Sequence, residues 1–114
     1  MSIAVLVNAS PYGSELPYNA LRVAAALQLE ERVEVLLMGD AVNTARRDQE
    51  PRAAHASLEG LLVDLVEKGV DVTLCGTCCR TRGLQEADLV DGVAVGTIHD
   101  FSRVLRDCDK VISF

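Results

Sequence analysis

The stretch Ile3-Ala4-Val5-Leu6-Val7 is apolar without a break, and Asn8-Ala9-Ser10-Pro11-Tyr12-Gly13-Ser14 follows it with turn chemistry. A strand on a half-solvated sheet would alternate apolar and polar residues. An unbroken run predicts a strand buried on both faces, as in a parallel sheet covered by helices. The rest of the chain repeats the theme. Ser14 is placed to cap a helix over residues 15–29. Pro17 is tolerable in its first turn, and Leu16, Ala20, Leu21, Ala24, Ala25 and Leu27 form its inner stripe. A second strand is expected over 33–38, ended by Gly39, with Asp40 capping a short helical turn through Ala45. Residues 46–52 are charged and interrupted by Pro51, so they read as a mobile loop.

Downstream, a helix over 54–68 turns Leu58, Leu61, Leu62, Leu65 and Val66 inward and stops at Gly69. A third strand covers 70–75, and residues 76–83 read as a tight turn with one helical turn. Residues 85–90 suggest a short helix and 93–96 a short fourth strand. Thr97 is placed to cap a helix through Arg106, with Ile98, Phe101, Val104 and Leu105 inward, and 110–114 is a terminal strand. Strands and helices alternate throughout, and no repeat or low-complexity segment interrupts them. The fold class is therefore α/β, with five strands joined by crossovers into a mostly parallel sheet.

Composition agrees. The 114 residues suit one domain, spanning 1–114. Hydrophobic residues make up 49% and charged residues 25%, the balance of a globular chain rather than a disordered one. With 4% aromatics and no tryptophan, the core must be built from Val, Leu, Ile and Ala. No apolar run approaches the ~20 residues that cross a bilayer, so no membrane partner is expected. The first residues lack the basic region and cleavage site of a signal peptide, which predicts a cytoplasmic protein. In that compartment four cysteines are expected to be reduced, catalytic or metal-bound rather than paired in structural disulfides. A net charge of −6 argues against nucleic acid as a direct partner. Arg46, Arg47 and Arg52 read as solvated surface.

The chemistry concentrates in Cys75-Gly76-Thr77-Cys78-Cys79-Arg80-Thr81-Arg82-Gly83. Parallel α/β sheets gather reactive groups at the carboxyl ends of their strands, and Cys75 closes the third strand. Its sulfur would face the backbone N–H groups of the following turn, with Arg80 and Arg82 adding positive charge, and both effects favour thiolate. Cys78 is close enough to exchange a sulfur atom with Cys75 or close a reversible disulfide, whereas Cys79 points elsewhere if the segment is helical. Cys75 and Cys78 are the candidate catalytic pair, with Gly76, Thr77, Cys79, Arg80 and Arg82 as candidate binding residues. Buried packing is the competing reading of any free cysteine and the favoured one for Cys108. Cys75-x-x-Cys78 also has zinc-ligand spacing, but no second matched pair exists, and His99 or Cys108 would have to join singly. No metal and no cofactor is assigned. All three prolines lie upstream, so the cis-proline of a thioredoxin-like site has no counterpart. The loop carrying Ser10 and Tyr12 leads into a helix and could hold an anion, though turn and cap chemistry explains it as well. His55 and His99 have no partner at motif spacing.

Taken together, Ile3-Ala4-Val5-Leu6-Val7-Asn8, the Ser-Pro-Tyr-Gly loop, Leu36-Leu37-Met38-Gly39-Asp40-Ala41-Val42, Cys75-Gly76-Thr77-Cys78 with Arg82-Gly83-Leu84, and Asp109-Lys110-Val111-Ile112-Ser113-Phe114 resemble the DsrE/DsrF-like family, which includes the YchN-like proteins. The resemblance implies a three-layer α/β/α sandwich that assembles into homotrimers or homohexamers. It also implies a sulfur-relay role, in which a cysteine at the end of the third strand, eight positions before a glycine, carries sulfur as a persulfide. Cys75, eight before Gly83, occupies that place. A sulfur donor or acceptor protein would be the partner, and activity would be sulfurtransferase-like. Cys78 and Cys79 depart from such carriers. They leave open a non-catalytic oligomeric binding or regulatory module, or a metal-binding one.

Overall fold

Each expected apolar run becomes a strand: β1 (Ser2–Val7), β2 (Arg32–Leu37), β3 (Asp71–Cys75), β4 (Ala94–Gly96) and β5 (Lys110–Ser113). The chain, seen in a computed structural model, is described over residues 1–52 and 57–114. All the strand pairs are parallel, and the sheet order is β4-β3-β2-β1-β5. Among the described residues four α-helices join them: α1 (Leu16–Leu27), α2 (Leu58–Glu67), α3 (Gly76–Thr81) and α4 (Ile98–Asp107). Two 3₁₀ turns, Gly39–Ala45 and Glu86–Asp88, complete the connections.

Period-two geometry sorts the strand side chains between two faces. Val5, Val7, Val35, Leu37, Val72 and Leu74 point to the first face and pack against Ala20, Leu21 and Ala24 of α1 and Leu62 and Leu65 of α2. On the second face Leu36 and Cys75 pack with Phe101 of α4, half-covered by Leu6, Met38, Val104 and Leu105. This makes three layers, the third consisting, among the described residues, of α4. Thr97 caps α4 reciprocally with Asp100: the Asp100 N–H donates to Thr97 Oγ1 at 3.2 Å and the Thr97 N–H donates to Asp100 Oδ2 at 2.8 Å.

Several local expectations are corrected. Ser14 does not cap α1; Glu15 holds that position, and Ser14 Oγ instead accepts the Leu16 N–H. Asp40 caps nothing and turns its carboxylate toward Arg82. Residues 46–52 are not a free loop. The Arg47 N–H donates to the Asp88 carbonyl at 2.8 Å, and Gln49 donates to the Thr44 and Arg46 carbonyls while taking the Glu59 N–H. The segment 85–90 tightens to a 3₁₀ turn. The helix expected from residue 54 is seen from Leu58, and 54–56 lie outside the described residues. Ile98 is 59% exposed rather than inward, because the first turn of α4 lies beside a three-residue edge strand that offers little to pack upon.

Candidate functional site

Cys75 is both the last residue of β3 and the N-cap of α3, so the strand ends and the helix begins on one sulfur. α3 starts directly at Gly76, and the expected tight turn follows it at Arg82 and Gly83. As in other caps, the side chain takes an orphan N–H of the first turn: Cys78 N–H donates to Cys75 Sγ at 3.4 Å. Gly76 suits a crowded corner. A Cβ there would sit 3.2 Å from the Gly96 carbonyl oxygen, 3.2 Å from Arg80 Nη1 and 3.3 Å from Val95 Cγ1. The helix therefore starts pressed against β4, with the Arg80 guanidinium folded over that corner, where it also donates to Thr77 Oγ1 at 3.2 Å.

The sulfur of Cys75 is acidified. Burial pushes its pKa up, but the Cys78 thiol, the Cys78 and Thr77 N–H groups and the charge of Arg80 outweigh that cost, and the net direction is down. Cys78 moves the opposite way. Burial, the hydrogen bond its thiol gives Cys75 and the charge of Cys75 push it up, against the Gly39 N–H and Arg82. The pair is thus divided into a thiolate-prone sulfur and a proton-holding one. Cys79 is pushed up, first by burial and then by its two neighbours.

Of the residues proposed from sequence, Cys75, Gly76, Thr77, Cys78 and Arg80 form this corner. Arg82 lies beside Cys78: its Nη1 donates to the Cys78 carbonyl at 3.1 Å, and its Nη2 pairs with Asp40 Oδ1 at 2.8 Å. Cys79 is 3% exposed and packs in the first-face core, where it also borders a cavity lined by Gly76 and Arg80. Ser10 and Tyr12 are engaged elsewhere. Ser10 gives its carbonyl to the Gly13 N–H. Tyr12, at a positive φ of 62°, donates its hydroxyl to Gln49 Oε1 at 2.5 Å and accepts the Leu58 N–H at 2.9 Å, which fixes the start of α2. Cys108 is half-buried, its thiol donating to the Lys110 carbonyl at 3.3 Å. His99 is exposed, and His55 lies outside the described residues. Among the described residues no group of three or more His, Cys, Asp or Glu side chains is arranged to hold a metal ion.

Two residues were not foreseen. Gly39 donates its N–H to Cys78 Sγ at 3.1 Å, and Asp40 anchors Arg82. The pairing of β2 with β3 could have found them. Leu37 registers with Leu74, so the loops leaving these parallel strands emerge side by side.

These features define a parallel α/β protein with an acidified cysteine at the carboxyl end of its third strand. The chain belongs to the DsrE/DsrF-like family, whose model matches residues 1–114. It is 37% identical over 115 residues to an uncharacterized protein of Methanocaldococcus jannaschii, covering 100% of both chains. It is also 36% identical to protein YchN of Escherichia coli strain K12, covering 98% of this chain and 97% of that one. The crystal structure of E. coli YchN superposes with a TM-score of 0.93 at 35% identity, covering 100% of this chain and 99% of that chain. Among the described residues no helix is long and apolar enough to cross a membrane.

Proposed function

We propose that the chain is a sulfurtransferase-like carrier: Cys75 takes sulfane sulfur as a persulfide and passes it to a partner thiol by exchange. The observation that supports this most is the acidified Cys75 sulfur, favoured as thiolate by two N–H groups, a thiol and a guanidinium. Thiolate is the nucleophile in sulfur transfer, and a sulfur that accepts hydrogen bonds can also hold the anion of a persulfide. A family that includes relay proteins makes the same chemistry reasonable here. Four free cysteines suit a reducing cytoplasm. Self-association belongs to the reading as well. Val95, Ile98 and Val111 are exposed, and an open cavity of about 460 Å³ lies beside Gly76, Cys79 and Arg80, surfaces that a neighbouring subunit would cover.

Intact-protein mass spectrometry tests the assignment. After incubation with a sulfur donor the protein gains one sulfur atom; Cys75→Ser abolishes the gain and Cys108→Ser keeps it. Equal loading of Cys75→Ser would refute the role of Cys75. Light scattering tests assembly, with a mass that is a multiple of 12.3 kDa expected at micromolar concentration.

A further inference from the structure

Sulfur carriage through Cys75 leaves one contact without a purpose. The Gly39 N–H reaches from the end of β2, 39 residues away in sequence, to donate to Cys78 Sγ at 3.1 Å. The contact is braced on both sides. Gly39 holds a φ of +57°, which an L side chain rarely adopts. Asp40 then takes Arg82 Nε at 2.9 Å, and Arg82 Nη1 reaches the Cys78 carbonyl at 3.1 Å. A neutral thiol is a weak acceptor and gains little from such a donor, whereas a thiolate gains a charge-assisted hydrogen bond. The arrangement prepares Cys78 to become an anion beside Cys75.

We infer that Cys78 discharges the Cys75 persulfide within the same chain, releasing the sulfane sulfur as sulfide and closing a Cys75–Cys78 disulfide. This rests on the carrier reading and adds a second activity to it. The outer sulfur of the persulfide anion takes the proton of Cys78. The new Cys78 thiolate, held by the Gly39 N–H and the charge of Arg82, attacks Cys75 Sγ. The bond from Sγ to the outer sulfur breaks, and its electron pair leaves with that sulfur as hydrosulfide. The sulfane sulfur is reduced by two electrons and the two cysteines are oxidised to a disulfide, so one discharge needs no other reactant. A dithiol reductant reopens the disulfide by exchange and completes a cycle. Gly39 and Arg82 are positioning residues: they act on Cys78 and not on the transferred sulfur.

The test loads the full chain with inorganic polysulfide, removes the excess, and follows sulfide and intact mass without added thiol. Wild type is expected to release one sulfide per loaded chain and to finish two hydrogens lighter than the reduced protein. Cys78→Ser should load and keep its persulfide at least roughly tenfold longer, since it loses an attacker held in place. Counted per loaded chain, Arg82→Gln should shift the release profile to higher pH, because the Cys78 thiolate loses its counter-charge, and Arg82→Lys should recover part of the shift. A wild type that holds its persulfide as long as Cys78→Ser overturns the inference and leaves the carrier reading standing. An unchanged pH profile in Arg82→Gln overturns the positioning role. A wild type that neither gains sulfur nor releases sulfide, together with a Cys78→Ser that gains none, overturns both readings.

Discussion

The two faces of the sheet are built differently, and the cysteines are divided between them. On the first face two helices cover a continuous apolar surface, and Val5, Val35, Leu37, Leu62 and Leu74 lose all contact with solvent. On the second face α4 alone returns the chain from the β4 edge to the β5 edge, crossing three strands. Among the described residues the packed cluster there is small: Leu36, Cys75 and Phe101. Glu34 and Thr73 point into the same layer, where a cavity of about 350 Å³ opens between sheet and helix beside Asp100 and Arg103. One six-residue helix serves both faces: Cys79 turns into the first core, Cys75 belongs to the second, and Cys78 touches both. Rigidity comes from one side and access from the other. A reactive sulfur needs a fixed backbone beneath it and thin cover above it, and the end of β3 supplies both.

The largest expected effect tests this contrast in stability. Leu62→Ala empties a fully buried site between α2 and the sheet and should cost about 3 kcal/mol. Val104→Ala, half-buried under α4, should cost only about 1 kcal/mol. Denaturant unfolding at one fixed protein concentration reads both. Equal losses would mean that the second face is as tightly built as the first.

A second comparison concerns Cys75 and Cys79, which sit four residues apart on opposite faces. Under native conditions an alkylating reagent should label Cys75 at least roughly tenfold faster than Cys79, because it is the thiolate that reacts, and Cys75 is pushed toward that form and Cys79 away from it. Peptide mapping of a time course separates them. The sign in pH follows from the direction of the shift. Labelling of Cys75 rises with pH and should reach half its maximum below the ~8.5 of a free cysteine. A midpoint at or above that value would contradict the acidified sulfur.

Much of this architecture was legible because it is local. Unbroken runs such as Ile3-Ala4-Val5-Leu6-Val7 report burial on both faces directly, and Thr97 with Asp100 carries its cap within four residues. Cys75 was legible for the same reason: strand, cap and helix start are consecutive. The second half of the site was not. The Asp40–Arg82 pair and the Gly39 contact join positions separated by 42 and 39 residues, and nothing in either segment names its partner until β2 is laid against β3. Residues 46–52 misled for a related reason. Their charges and Pro51 resemble solvated loop, but the amide and carbonyl of Gln49 satisfy backbone groups of three separate residues and fasten the segment in place.

The smallest effect expected is also the sharpest test of what acidifies Cys75. Arg80 and Arg82 both stand near the sulfurs, yet they divide as the faces do. Arg80 lies over Gly76 and acts on Cys75, whereas Arg82 is committed to Asp40 and the Cys78 carbonyl. Arg80 is exposed, so its charge is screened by water and salt, and a contribution of about 0.2–1 kcal/mol is the ordinary range for such a surface charge. Arg80→Ala should therefore slow Cys75 alkylation at neutral pH by roughly two- to fivefold at low salt and move the midpoint of its pH profile upward. Raising the ionic strength to ~1 M, where the Debye length falls to about 3 Å, should shrink the difference between wild type and variant. Arg82→Ala should move Cys75 less, because Arg82 is paired with Asp40 and bound to the Cys78 carbonyl. If Arg82→Ala slows Cys75 as much as Arg80→Ala does, the two arginines act as one diffuse patch and the division drawn here fails. If neither does, the N–H groups of Thr77 and Cys78 and the Cys78 thiol acidify the sulfur on their own. That outcome would place the chemistry wholly in the way β3 hands its last residue to α3.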